Sequence, residues 1–215
     1  MGHRSRRRVA GAAVPLLAAS LVLAAVAPAA AEWERLSDKA GLLVERRAVA
    51  GSSFYEVRAT ARSPLPPAAV FDTLWNHREY PRFIPHLKRL DLLSDTGDER
   101  VAYEQVAVPL ARDRDYTVRL RRHVDAAAQR YEILFASAND AGPPPDGRHV
   151  RVPSIKGSWT IEPGADGRGS VVRYSVQTEP GGAIPAWVAN RAQRDAVAEL
   201  VRAVLRRTLE SNGGK

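Results

Sequence analysis

The chain has 215 residues, 45% of them hydrophobic and 26% charged, with a formal charge of +8 and no cysteine. Without cysteine there is no disulfide, no thiol catalysis, no lipoprotein-type anchor and no Cys-based zinc site. The arginine excess is scattered among acids and forms no basic stripe with interleaved aromatics, which argues against nucleic acid as a partner. A mild attraction to anionic membrane surfaces is the expected consequence.

In chain order, Met1–Arg8 is basic through Arg4, Arg6, Arg7 and Arg8, and Val9–Pro28 is an apolar run rich in Ala and Leu. Ala29-Ala30-Ala31 then offers the small-x-small pattern that signal peptidase reads. Residues 1–31 are therefore expected to be a signal peptide cleaved after Ala31, with 32–215 as the exported, periplasmic domain. An uncleaved anchor is the alternative, because the apolar run approaches spanning length; its alanine-rich character favours removal. Ser5-Arg6-Arg7 is not followed by the rest of a twin-arginine signal, so a general secretory route is expected. Four of the positive charges lie in this leader, leaving the domain near +4. An exported chain without disulfides must rest on its own core, and about 184 residues suffice for one domain.

Gly41–Val49 and Phe54–Arg62 read as a hairpin turned at Ala50-Gly51-Ser52-Ser53. Pro66 and Pro67 suit the start of a helix running to about Asn76, with Val70, Phe71, Leu74 and Trp75 on one apolar face. Tyr80-Pro81-Arg82-Phe83-Ile84-Pro85 is a second short helix or turn. Leu87–Leu93, Val101–Pro109, Asp113–Val124 and Arg130–Ala138 are strand-like, with polar turns between them. The loop Ala141–Gly147, with three prolines, is expected to be the most mobile part of the domain. Val150–Pro163 and Ser170–Gln177 form a further hairpin turned at Ala165-Asp166-Gly167.

Gly181 and Gly182 allow a sharp reversal, and Pro185 sits where a first-turn proline is tolerated. From there to Glu210 no Pro or Gly interrupts, so a long terminal helix is expected. Val197, Leu200, Val201, Val204 and Leu205 form its apolar stripe. Eight strands joined mostly by short turns give an antiparallel sheet, which hides one face only if it curls around that helix.

Four stretches carry a resemblance. Glu179-Pro-Gly-Gly-Ala-Ile-Pro-Ala-Trp187 resembles the start of the C-terminal helix in START (StAR-related lipid transfer) domains, a branch of the Bet v 1-like helix-grip superfamily. Ala111-Arg-Asp-Arg-Asp-Tyr116 is similar to the Arg-Asp-aromatic motif opening a central START strand. His149-Val-Arg-Val-Pro153 with Gly157-Ser-Trp-Thr-Ile-Glu-Pro163 resembles its proline-broken, Trp-containing strand. Trp33 with Gly41-Leu-Leu-Val-Glu-Arg46 resembles the family's opening. Val70–Asn76 with Tyr80–Pro85 is similar to the polyketide-cyclase and coenzyme Q-binding relatives. The resemblance implies an α+β helix-grip fold, a curved antiparallel sheet wrapped around a long C-terminal helix with an internal hydrophobic cavity. It further implies a lipid ligand, gating by that helix and the Pro143–Pro145 loop, and transient contact with a membrane. A monomer without cofactor is expected. A cyclase or dehydratase, or a quinone-binding accessory protein, is the alternative.

If the even positions of 113–124 face inward, Arg114 joins Tyr116 there. It either meets a lipid head group, as the resemblance to phosphatidylcholine-transfer relatives implies, or pairs with Glu104 or Asp115. Sterol-binding relatives carry an arginine near where this chain has Leu120, which weakens a sterol reading. Glu104 either faces the cavity or, with a bulge near Gln105, solvent; the bulge is the favoured expectation. Tyr103, Tyr116, Tyr131, Trp159, Tyr174 and Trp187 are candidate lining residues that also suit a plain core. Asp113 and Asp115 are expected in a solvated ion-pair row. His77, His86, His123 and His149 have no metal spacing, and no nucleophile, phosphate-loop or dinucleotide motif occurs, so no enzyme is expected.

Overall fold

Strands with one apolar face must pair and then bury that face, and the chain does so in a single sheet. The computed structural model describes residues 1–2, 31–109 and 111–213, so the leader read over 1–31 lies, from 3 to 30, outside the described residues. From residue 31 the chain forms one unit. It runs β1 (Glu34–Lys39), β2 (Leu42–Arg47), β3 (Glu56–Ser63), α1 (Pro67–Trp75), a 3-10 turn (His77–Glu79) and α2 (Tyr80–Phe83). Then come β4 (Leu87–Asp95), β5 (Glu99–Val106), β6 (Arg114–Asp125), β7 (Arg130–Ser137), β8 (Val150–Arg151), β9 (Ser154–Pro163), β10 (Ser170–Glu179) and α3 (Ala186–Asn212). The sheet order is β1-β2-β3-β10-β9-β7-β6-β5-β4.

One of the ten strands was not expected, and another is the first piece of the expected Val150–Pro163 strand. β1 is a polar edge strand, Glu-Arg-Leu-Ser-Asp-Lys, with no alternation to reveal it. β8 is parallel to β6, and is cut from β9 at Pro153, whose missing N–H interrupts the ladder. The Val150 and Val152 amides instead donate to the carbonyls of Asp113 and Asp115, at 2.9 and 3.0 Å.

The inward face presents Val57 and Ala59 from β3, Val172 and Val176 from β10, Ile161 from β9 and Ile133 from β7. Against it pack the predicted faces of both helices: Val70, Phe71, Leu74 and Trp75 of α1, and Val197, Val201 and Val204 of α3. Each fully buried aliphatic side chain is worth about 1.5–3 kcal/mol, so this core stabilises a chain that has no disulfide. Among the described residues no helix is long and apolar enough to cross a membrane.

Positive φ at Gly181 and Gly182, +66° and +68°, makes the reversal into α3. The first half of α3 is then tied down by amide side chains. Asn190 accepts from the Tyr55 amide and donates to the Ser53 carbonyl, both at 3.1 Å, while Gln193 donates to the Val176 carbonyl at 2.9 Å. Near its other end Arg207 pairs with Glu79 at 3.1 Å.

Candidate functional site

Where the sheet curls away from the middle of α3, side chains leave a partly open pocket of about 180 Å³. Leu74 of α1, the segment Tyr80, Ile84, Pro85 and His86, and Ala196 and Leu200 of α3 form one side. The other side is the sheet: Glu104 and Val106 of β5, Tyr116, Val118 and Leu120 of β6, Phe135 of β7, Ile155 and Trp159 of β9, and Tyr174 of β10. The Phe135 wall depends on Gly157 opposite it. A Cβ at 157 would lie 2.5 Å from the Phe135 ring and 2.0 Å from the Ser175 carbonyl oxygen. With that room Phe135 stacks along Tyr174, whose ring leans on Trp159 with centroids 4.4 Å apart.

Glu104, Tyr116, Trp159 and Tyr174 are thus brought together. The expected bulge near Gln105 does not turn Glu104 outward, because β5 and β6 stay in unbroken register from Glu99 to Val106. Tyr116 donates its hydroxyl to Glu104 Oε2 at 2.8 Å. Burial raises the pKa of Glu104, an effect the Tyr116 hydrogen bond opposes in part. Burial and the neighbouring carboxyl push the Tyr116 hydroxyl well above its ordinary value. The Tyr80 hydroxyl, which sequence reading did not single out, donates to the Leu74 carbonyl at 2.6 Å and ties the turn to α1. His86 closes the rim with φ +61° and reaches Glu199 of α3 at 3.2 Å.

The other candidates stand elsewhere. Tyr103 points to the opposite face of β5, where it donates to Asp115 Oδ2 at 3.0 Å. Asp115 is 1% exposed and gripped by Arg151 at 3.0 and 2.8 Å, so it is a buried ion pair and not part of a solvated row. Asp113 does keep a surface partner, Lys88. Arg114 is buried, and among the described residues no acid pairs with it, contrary to the expected bridge to Glu104 or Asp115. Its guanidinium donates to the carbonyls of Arg112, Pro180 and Gly181, pinning the glycine turn outside the pocket. Tyr131 stacks on Phe71 in the core. The Pro143–Pro145 loop contributes nothing to the lining, and Arg151 holds it through the Pro143 carbonyl at 3.0 Å.

Trp187 is 72% exposed. It lies over a separate outer groove of about 640 Å³ with Tyr55, Arg46, Arg191 and Arg194, not in the tunnel that its aromaticity suggested. No cluster of metal-ligating side chains occurs among the described residues.

Residues 63–205 match the family described as polyketide cyclase / dehydrase and lipid transport. An uncharacterised protein of Pseudomonas aeruginosa is 27% identical over 182 residues, covering 84% of this chain and 89% of its own. The phosphatidylcholine transfer protein of Mus musculus is 27% identical over 180 residues, covering 80% and 81%. The crystal structure of a STAR-related lipid transfer protein from Xanthomonas axonopodis superposes with a TM-score of 0.74 at 26% identity, over 82% of this chain and 98% of that one.

Proposed function

This chain belongs to the polyketide cyclase / dehydrase and lipid transport family, and from that premise we propose that it binds a lipid between sheet and α3 and carries it unchanged. The observation that carries this reading is the pocket itself. Its walls are mostly aliphatic and aromatic, and its few polar groups sit together on β5, β6 and β10, the pattern of a site that buries a hydrophobic ligand and orients one polar end. The likeness to a phosphatidylcholine transfer protein and to a STAR-related lipid transfer protein supports a lipid as the cargo. Burial of acyl chain contributes about 0.8 kcal/mol per methylene, ample to hold a lipid out of water.

At about 180 Å³ the pocket is small, near six water volumes at roughly 30 Å³ each. Loading a whole lipid requires the rim to open. With both ends of α3 bonded to the sheet or to Glu79, the segment Ile84–His86 is the part that yields. Export by a signal peptide cleaved after Ala31 places the carrier in the periplasm, and a monomer meeting membranes transiently suits that role.

One observation favours a second reading. Glu104 and Tyr116 are hydrogen-bonded inside the space, and a cyclase or dehydratase would use such a pair as acid and base. Native mass spectrometry with lipid extraction, on protein purified from its own periplasm, separates the two. The expected result is a chain beginning at Glu32 that holds an unmodified lipid. A bare mass that stays unchanged after incubation with liposomes overturns the carrier reading, and recovery of a converted ligand establishes the enzyme.

A further inference from the structure

The pocket holds a carboxyl but, among the described residues lining it, no arginine or lysine. Glu104 Oε2 accepts from Tyr116, while no described donor reaches Oε1, which is left for whatever enters. The Tyr174 hydroxyl, also on the lining, has no described partner either. Arg114 lies on the same face of β6 but is engaged with three backbone carbonyls at the glycine turn. His86, the remaining basic group of the lining, is at the rim and turned to Glu199.

An anionic lipid end drawn in here would meet an acid in a low-dielectric space with no cation to offset either charge. A hydroxyl or ammonium meets the opposite situation: an open carboxyl oxygen that lacks a donor. We propose that Glu104 sets the polar end of the cargo, so that the space takes lipids ending inward in a hydrogen-bond donor, an alcohol or an amine, and turns away those ending in a carboxylate or phosphate. This rests on the lipid-carrier reading and narrows it. It also gives a reason for a half-buried acid on a mostly apolar wall, where an aliphatic residue would pack at less cost.

The test uses the purified protein and three chain-matched probes, dodecan-1-ol, dodecylamine and dodecanoate, titrated below micelle formation by displacement of a fluorescent apolar reporter. Wild type is expected to hold the alcohol and the amine about tenfold or more tighter than the carboxylate. In Glu104→Gln the amine loses most of its advantage, the alcohol changes little and the carboxylate gains. That pattern separates an ionic contact from a neutral one. Glu104→Leu, which needs no polar partner to fold, is expected to lose the preference for both donors. Equal binding of dodecanol and dodecanoate by wild type, or an unchanged ratio in Glu104→Gln, overturns the proposal while leaving the carrier reading in place. Failure of all three probes to displace the reporter, in a protein that also yields no bound lipid, removes both.

Discussion

At the scale of single residues, His77 is the side chain whose surroundings bear most directly on stability. It is 2% exposed, its Nδ1 faces the Arg100 guanidinium at 3.0 Å, and its Nε2 has no described partner. Burial, and then the Arg100 charge, lower its pKa to about 4. The unfolded chain takes up this proton near pH 6.5 and the native state only near 4, so His77 favours folding above that window. The contribution fades as the pH falls from about 6.5 to 4, by on the order of 3 kcal/mol. Denaturant titrations of wild type and His77→Gln across that range are expected to converge toward acid; parallel curves would show that the imidazole is solvated. Asp115 acts lower on the scale. The Arg151 hydrogen bond holds its carboxyl below the usual range, so its stabilisation is present above about pH 4 and lost as acid protonates it. Arg151→Leu leaves that buried carboxylate unpaired and is expected to cost about 3–5 kcal/mol at neutral pH. Arg82→Ala, at an exposed pair with Glu79, should cost less than about 1 kcal/mol in the same assay.

At the scale of elements, opening is assigned to the Ile84–His86 rim. Glu199→Ala removes its hydrogen-bond tie to α3, and Ile84→Ala removes an apolar contact that covers the interior. Both are expected to speed release of a bound fluorescent lipid several-fold. Release at the wild-type rate in both variants would move the opening elsewhere. Much of this framework was legible in the sequence because it rests on periodicity. The α3 stripe, the α1 face and the inward parity of Tyr116 follow from spacings of 3.6 or 2 residues, and the reversal before α3 from the backbone freedom of Gly181 and Gly182. What escaped is non-local. The pairing of Asp115 with Arg151 depends on a two-residue parallel strand across a proline break, and the pinning of Arg114 depends on a turn 66 residues away. Trp187 misled for a related reason: its place on α3 was right, but the amides of Asn190 and Gln193 fix the helix roll that leaves the indole outside.

At the scale of the whole molecule, the lining of the interior and an exposed indole occupy different parts of one helix. Ala196 and Leu200 cover the interior, while Trp187, 9 to 13 residues earlier, stands in solvent about 14–20 Å away along the axis. Arg191 and Arg194 lie beside the same groove. An exposed indole flanked by arginines suits the interface of an anionic membrane, where the ring settles at head-group level and the guanidiniums meet the surface potential. If this is the landing surface, its loss slows delivery without touching retention. Trp187→Ala is therefore expected to cut the rate of lipid transfer between anionic vesicles by up to about tenfold, which corresponds to roughly 1.4 kcal/mol of lost surface affinity. The affinity for a soluble short-chain probe, and its release rate in solution, should stay at wild-type values. Trp187→Phe should retain part of the transfer rate, and raised salt should slow wild type by screening the arginines. Transfer at full speed in Trp187→Ala would place the landing surface elsewhere. Faster release in solution would instead make α3 itself the moving gate, against the bonds that Asn190, Gln193 and Arg207 make at its two ends.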